Sequence, residues 1–436
     1  TSLRAVVECP CGGRCLMAGF PGLRTGIDGT AYMDPDHLAA TLDRILETGA
    51  RLLILLGGIV FVIGTLGAAL GVNVAMLVGF RFVRGVGVGI GSVVVPMYLS
   101  ELAPARIRGR LTSLMQLLVT VGIFLAYVTD FAFAESRDWR WMIGLGVIPA
   151  VVLAIGIYTQ PESPRWLVAQ KPDGGEEDAR VVLERLRGTP EAAEAELSEI
   201  RESVRVEREN TEKVAIGTLF SPRLRRLTLI GMLLVFFQNF VGINTIIYYA
   251  PTLLTDVGFG ATGAIGANVG IGAVNMLMTL PGMWLIDRAG RRPLLRWGAV
   301  GMCLAMIVLA VTNLVGLEQG PLLLGLTLAG IVVYIASFSI SWGPVQWVLL
   351  PELFPLRVRA GAVAFCVTFN WLFNMTVALL FPSLLEAFGA GWNFLFFAMT
   401  TAAAYIYATR LLPETKGRSL EEIERSLAQP VTAKPA

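Results

Sequence analysis

"ELAPARIR" at residues 101–108 and "ELFPLRVR" at residues 352–359 are one charged phrase written twice, each time against a long apolar run. Each begins Glu-Leu, places a Pro three residues after the Glu, and carries two Arg with one residue between them. A second phrase is also doubled: "PESPR" starts at 161 and "PETKGR" at 413. The two offsets, 251 and 252 residues, agree to within one. Two halves with one internal spacing predict two structurally similar repeats.

The runs beside these phrases set the fold class. Of 436 residues, 55% are hydrophobic and 16% charged, where a soluble domain carries roughly a quarter charged; the mean hydropathy is +0.65. Apolar blocks lie near 52–71, 74–98, 112–133 and 141–159, then near 227–250, 264–286, 294–315, 322–350, 360–385 and 392–412. Each approaches the ~20 residues a helix needs to cross a bilayer. The expectation is an all-α polytopic membrane protein with ten spans. An N-terminal bundle (51–160) and a C-terminal bundle (224–412) flank a polar interval at 161–223, and a tail follows at 413–436.

Short connections alternate the loops between two sides. One side collects Arg106, Arg108, Arg110, Arg288, Arg291, Arg292, Arg357, Arg359 and Arg410; the other has Arg137 and Arg140. The positive-inside rule places the first set and the C-terminus in the cytoplasm, beneath a plasma membrane. In the polar interval, Val182, Leu183 and Leu186, then Leu197, Ile200 and Val204, recur at helical spacing and predict amphipathic helices. Beyond Ser426 the chain has the composition of a disordered tail.

Several function classes drop out. The net charge is +2 and no Lys/Arg stripe suggests nucleic acid. Cys9, Cys11 and Cys15 in "CPCGGRC" lack a clear fourth ligand, and His37 is the single histidine. Cys303 and Cys366 sit inside apolar runs as small hydrophobes. No nucleophile–base spacing, Walker loop or Rossmann fingerprint is present, so no enzyme, metal or cofactor is expected. The glycines of "RGVGVGIG" fall inside a span, where they predict close helix packing.

Six phrases in order identify a resemblance. "RFVRGVGVGIGSVVVPMYLSELAPARIRG", "PESPRWLV", "FFQNFVGINTIIYYAP", "DRAGRRPLL", "SWGPVQWVLLPELFPLRVRA" and "PETKGRSLEEIE" together closely resemble the sugar porter family of the major facilitator superfamily, from about residue 51 to 425. The resemblance implies two pseudo-symmetric bundles, and twelve spans where this sequence supplies ten. The missing pair belongs to residues 1–50, an irregular segment in which "AGFPGLRTGIDG" has Arg24 where the family has an aspartate. Asp43 and Arg44 stand for a "D-R-x-G-R-R" loop that is intact at Asp287–Arg292. A truncated, frame-shifted or wrongly started reading frame is the expected cause; a natural ten-span protein is the alternative.

A sugar presents hydroxyls that donate and accept, and side-chain amides do the same. An aromatic face covers its C–H patch. Amides inside apolar spans are expensive unless used, and they occur at Gln116, Gln238, Asn239, Asn244, Asn275 and Asn370. The resemblance implies that these line a monosaccharide site, with Trp347 stacking under the sugar and Phe338 and Tyr248 flanking it. Interhelical bonding is their other reading. Gly343 and Pro344 are expected to break a helix in mid-membrane, and Gly242 and Pro251 to do the same, as in transporter sites.

By resemblance Arg81 is the candidate for proton coupling, although its family partner, an aspartate of the first helix, is missing. Arg84, on the same face, has no functional account. Asp130 and Glu135, at a span end, read as a solvated face. The doubled phrases imply a cytoplasmic gate of Glu101, Arg106, Arg108, Glu162 and Arg165 in one copy. The other copy has Asp287, Arg288, Arg291, Arg292, Glu352, Arg357, Arg359 and Glu414; the first, with only Asp43 and Arg44 as loop partners, should be the damaged latch. The expected function is alternating-access transport of a monosaccharide, by proton symport in the complete family member. A proton-independent facilitator, a sugar sensor and a non-functional remnant are the alternatives.

Overall fold

The computed structural model describes residues 23–25, 31–33, 49–103, 108–171, 174–209, 216–222, 224–315, 320–355 and 358–415. Cys9, Cys11, Cys15, His37, Asp43, Arg44, Arg106, Arg357 and residues 416–436 therefore lie outside the described residues, as do the side chains of Arg108 and Asp287. Within residues 1–50 the sequence suggested no regular structure. Its few described residues hold a short ladder: β1 (Leu23–Thr25) pairs antiparallel with β2 (Ala31–Met33), Arg24 opposite Tyr32 in register. Three-residue strands leave too short an alternation to read from sequence.

Everything else described is helical. In chain order come α1 (Ala50–Ala69), α2 (Val74–Leu102), α3 (Arg108–Ala132), α4 (Trp139–Gly144), α5 (Val147–Tyr158), α6 (Pro164–Gln170), α7 (Gly175–Arg187) and α8 (Pro190–Glu209). A 3-10 turn at Ile216–Phe220 leads to α9 (Arg225–Phe240), α10 (Ile243–Asp256), α11 (Ala261–Ala289), α12 (Arg291–Leu314), α13 (Pro321–Ile340), α14 (Trp342–Glu352) and α15 (Arg359–Arg410). Among the described residues nine helical stretches are long and apolar enough to cross a membrane. The last runs from Gly361 to Arg410, about 75 Å at 1.5 Å per residue, or two crossings.

That last stretch turns back at Gly389, whose φ of 75° and ψ of 167° interrupt the helix. Contacts with α9 prove the reversal. A Cβ on Gly231 would sit 3.2 Å from Cys366 Sγ, and Phe240 meets Phe373 with centroids 5.9 Å apart. Beyond the turn the order inverts: Thr400 Oγ1 donates to Phe240 O at 2.7 Å, and Tyr407 Oη to Ile230 O at 2.8 Å. Ten crossings result among the described residues.

The chain divides into two compact units, one of residues 1–62, 84–102 and 150–206, the other of 63–83, 103–149 and 207–436. In the first, Ile54, Tyr98 and Ile157 form a small apolar core. Here α1 and α2 cross at glycine: a Cβ on Gly87 would stand 2.7 Å from Gly57 O. The expected packing role holds at Gly87, whereas Gly85, Gly89 and Gly91 meet nothing within 4 Å. Arg84 lies over the Phe61 ring at 5.7 Å, a cation–π contact that accounts for it structurally.

The polar interval forms a helical hairpin in this unit. Val182, Leu183, Leu197 and Val204 are buried, and Leu186 and Ile200 pack beside them. Helix α7 begins with Glu176, Glu177 and Asp178 and ends with Arg185 and Arg187, the charge order its dipole favours. Arg187 holds Glu196 through two hydrogen bonds at 2.5 and 2.6 Å, and donates to Leu102 O at 3.2 Å. The hairpin is thereby tied to the end of α2.

The second unit contains the large core. Two pairs of helices in it, α9–α10 and α13–α14, are single apolar stretches broken in the middle. Gly242 makes the first break in the left-handed region, φ 95°, with Phe397 packed where a Cβ would go, 2.8 Å away. Pro251 lies inside α10, which continues to Asp256. The second break falls at Ser341, φ −120° and ψ −86°. Gly343 and Pro344, expected as breakers, instead occupy the first turn of α14, where a missing N–H leaves no bond unmade.

Candidate functional site

The two breaks bring amides together in the second unit. Asn239 and Gln238 end α9, Asn244 opens α10, and Asn370 sits on the first segment of α15. Asn239 Nδ2 donates to Asn370 Oδ1 at 2.9 Å and to Val235 O at 2.9 Å. Asn244 Nδ2 donates to Asn239 Oδ1 at 3.0 Å. A fourth amide joins them: Gln346 of α14, fully buried, donates from Nε2 to Asn370 Oδ1 at 3.2 Å. Gln346 is an amide inside an apolar span, the same signal in the sequence that marks Asn239, Asn244 and Asn370.

Nearby groups extend the polar set. Ser339 Oγ, on α13, donates to Asn275 Oδ1 at 2.7 Å, crossing to α11. Phe338, buried beside it, and Gln116 of α3 converge on Gly343: a Cβ there would meet Phe338 Cε1 at 3.2 Å and Gln116 Nε2 at 3.5 Å. The two tryptophans of α14 differ. Trp342 is wholly buried, its indole N–H donating to Leu295 O at 3.0 Å, whereas Trp347 is only partly buried. An open ring can stack; a sealed one is structural.

Two expected residues make no hydrogen bond to the described residues of this set. Tyr248 is half exposed; the adjacent Ile247 O accepts from Tyr127 Oη of α3 at 2.9 Å. Arg81 is exposed on α2. Two acceptors in the region are buried and receive no hydrogen bond from the described residues, Gln238 Oε1 and Gln346 Oε1. A buried amide oxygen left unpaired costs about 1–3 kcal/mol, a burden that packing alone does not require. Among the described residues no group of three His, Cys, Asp or Glu could hold a metal ion.

At the charged helix ends the doubled phrases form two similar clusters, one within each unit. Glu414 accepts the backbone N–H of Arg291 at 3.1 Å and of Arg292 at 3.0 Å, capping α12. Arg291 pairs with Glu352, and Thr415 Oγ1 donates to the same carboxylate at 2.6 Å. Arg292 reaches Ala408 O at 3.1 Å and also Thr409 O. Arg359 Nε donates to Phe354 O at 3.2 Å; burial holds its guanidinium below the usual value while Glu352 pulls it up. Arg288 stacks on Trp284 at 3.9 Å.

In the other copy Glu162 accepts the backbone N–H of Arg51 at 3.1 Å, capping α1, and Ser163 Oγ donates to Glu101. Arg165 projects from α6. Glu162 thus matches Glu414, and Ser163 matches Thr415. One element changes: aligning "GAR" (49–51) with "GRR" (290–292) puts Ala50 where Arg291 stands.

The family model for sugar (and other) transporters matches residues 46–427. The chain belongs to the sugar porter family of the major facilitator superfamily. This sugar porter is 44% identical over 379 residues to a putative metabolite transport protein, YwtG, of Bacillus subtilis, covering 87% of this chain and 81% of that one. It is 37% identical over 382 residues to the galactose-proton symporter of Escherichia coli, covering 87% and 81%. Among solved structures, the proton:xylose symporter XylE bound to 6-bromo-6-deoxy-D-glucose superposes with a TM-score of 0.72 at 31% identity, over 86% of this chain and 83% of that one. The fold is therefore the all-α major facilitator fold, the protein is a multi-pass membrane protein, and the family is one of transporters.

Proposed function

We propose that this sugar porter carries a monosaccharide by alternating access in symport with protons, in the plasma membrane, its arginine-rich helix ends and C-terminus cytoplasmic. The buried amide cluster at the two helix breaks carries the reading. A neutral polyhydroxylated ligand is matched by groups that donate and accept without charge, and broken helices free backbone groups where a binding site can use them. Gln116, Gln238, Asn239, Asn244, Asn275 and Asn370 bind hydroxyls in this reading, and Trp347, with Phe338 and Tyr248, covers the apolar face of the ring. The relatives named for galactose and xylose with protons support the substrate class and the coupling. The clusters at Glu352–Arg291 and Glu101–Ser163 act as the gate.

A proton-independent facilitator is the second reading, favoured by one observation: among the described residues no carboxylate pairs with Arg81, the coupling candidate. Counterflow of labelled D-glucose, D-galactose and D-xylose into proteoliposomes, with and without a pH gradient, decides. Uptake accelerated by inward-directed protons supports symport; uptake indifferent to the gradient supports facilitation. Uptake of none of the three, by a protein that is folded, removes the monosaccharide reading.

A further inference from the structure

We infer that Gln346 fixes the hydrogen-bonding sense of Asn370 and so makes one corner of the sugar site a donor-only subsite, an inference that rests on the sugar-transport reading above. A free amide can turn over and offer either its N–H groups or its carbonyl oxygen. Asn370 is held. Its Oδ1 accepts from Asn239 Nδ2 at 2.9 Å and from Gln346 Nε2 at 3.2 Å, which uses both lone pairs. Turning the amide over would bring its Nδ2 against two other amino groups and lose two buried hydrogen bonds.

The anchor of this arrangement is Asn239. Its Nδ2 also donates to Val235 O at 2.9 Å, and its Oδ1 accepts from Asn244 at 3.0 Å. Asn239 is therefore oriented by backbone, and the sense it imposes passes to Asn370. Alone, it would leave one lone pair of Asn370 open to a ligand hydroxyl; Gln346 closes that second position. Asn370 Nδ2, which makes no hydrogen bond to the described residues, remains as the group that meets a ligand, and it reads a ligand oxygen only as an acceptor.

Gln346 is an expensive way to fill this space. It is fully buried, and its Oε1 accepts nothing from the described residues. A methionine would occupy similar volume without an unpaired oxygen, so packing does not account for the amide. Gln346 is a positioning residue in this scheme, acting on the ligand through Asn370.

The test is equilibrium binding to the full chain, purified in detergent, first with D-glucose, D-galactose and D-xylose. The sugar that binds is then compared with its monodeoxy and monodeoxyfluoro derivatives, one hydroxyl at a time. Fluorine accepts weakly and never donates. The wild type should show one position where the fluoro derivative keeps at least about ten-fold more affinity than the deoxy derivative, the scale on which unpaired polar groups discriminate. In Gln346→Met that advantage should shrink to within about two-fold at that position alone, with the parent sugar weakened less than about three-fold.

An unchanged advantage in Gln346→Met, or an equal loss for all derivatives, would overturn the inference while leaving sugar binding intact. A wild type with no position that tolerates fluorine but not deoxygenation overturns it without any variant. If the wild type binds none of the three sugars, the transport reading falls and the inference goes with it.

Discussion

Arg291 holds Glu352 in a fork, Nη2 to Oε1 at 3.0 Å and Nε to Oε2 at 3.3 Å, while Thr415 and the α12 cap lock the surroundings. Only a planar guanidinium makes two such bonds at once. Arg291→Lys should therefore behave as a loss, not a conservative change. We expect counterflow to fall about ten-fold with sugar affinity changed less than about three-fold. A lysine variant with wild-type exchange would remove this pair from the gate.

At the amide cluster, Gln238→Ala and Trp347→Ala should each weaken sugar binding by more than about ten-fold, since each leaves ligand groups unpaired or uncovered. Membrane expression and thermal stability should stay near wild type. Unchanged affinity, measured by ligand-induced quenching of tryptophan fluorescence for Gln238→Ala and by equilibrium dialysis for Trp347→Ala, discards the site.

Gly242 combines a φ of 95° with Phe397 at 2.8 Å from its missing Cβ. Gly242→Ala must adopt a strained backbone and displace an aromatic ring, at roughly 1–3 kcal/mol for the strain and as much for overpacking. The melting temperature in detergent should drop clearly. Gly389, with φ 75° and nothing within 4 Å of its missing Cβ, supplies the control. Gly389→Ala should show the backbone strain alone, without overpacking, in a region that is essentially glycine-only.

In the charged hairpin, Arg187→Met removes the forked bond to Glu196 and the tie to Leu102 O. With Arg187 9% exposed and Glu196 27% exposed, the loss should be about 1–3 kcal/mol, less than for a fully buried pair. Limited trypsin digestion reads it out: cleavage between residues 175 and 209 should accelerate while the membrane helices stay protected. Equal cleavage rates in variant and wild type would show the tie to be idle.

Much of this architecture is visible in the sequence because its signals are long. Twenty-residue apolar blocks, the doubled phrases and the amides inside them need no knowledge of neighbours. Hidden features all depend on register between helices. Arg84 meets Phe61 only because α1 and α2 cross at Gly57 and Gly87. Gly343-Pro344 looks like a break, yet proline at a helix start is as natural as proline at an end, so the interruption moved to Ser341. Gln346 was overshadowed by Trp347, its neighbour in sequence, and its meaning emerges only from Asn370, which lies on another helix.

The turn at Gly389 has a consequence for how the protein is made. The last two crossings share one glycine as their entire connection, so no hydrophilic segment separates them that an insertion machine could hold on the far side while the second waits. The expected route into the lipid is therefore a joint one, the two crossings entering as a hairpin. Between these two crossings the chain uses a single non-helical residue, Gly389, for the reversal.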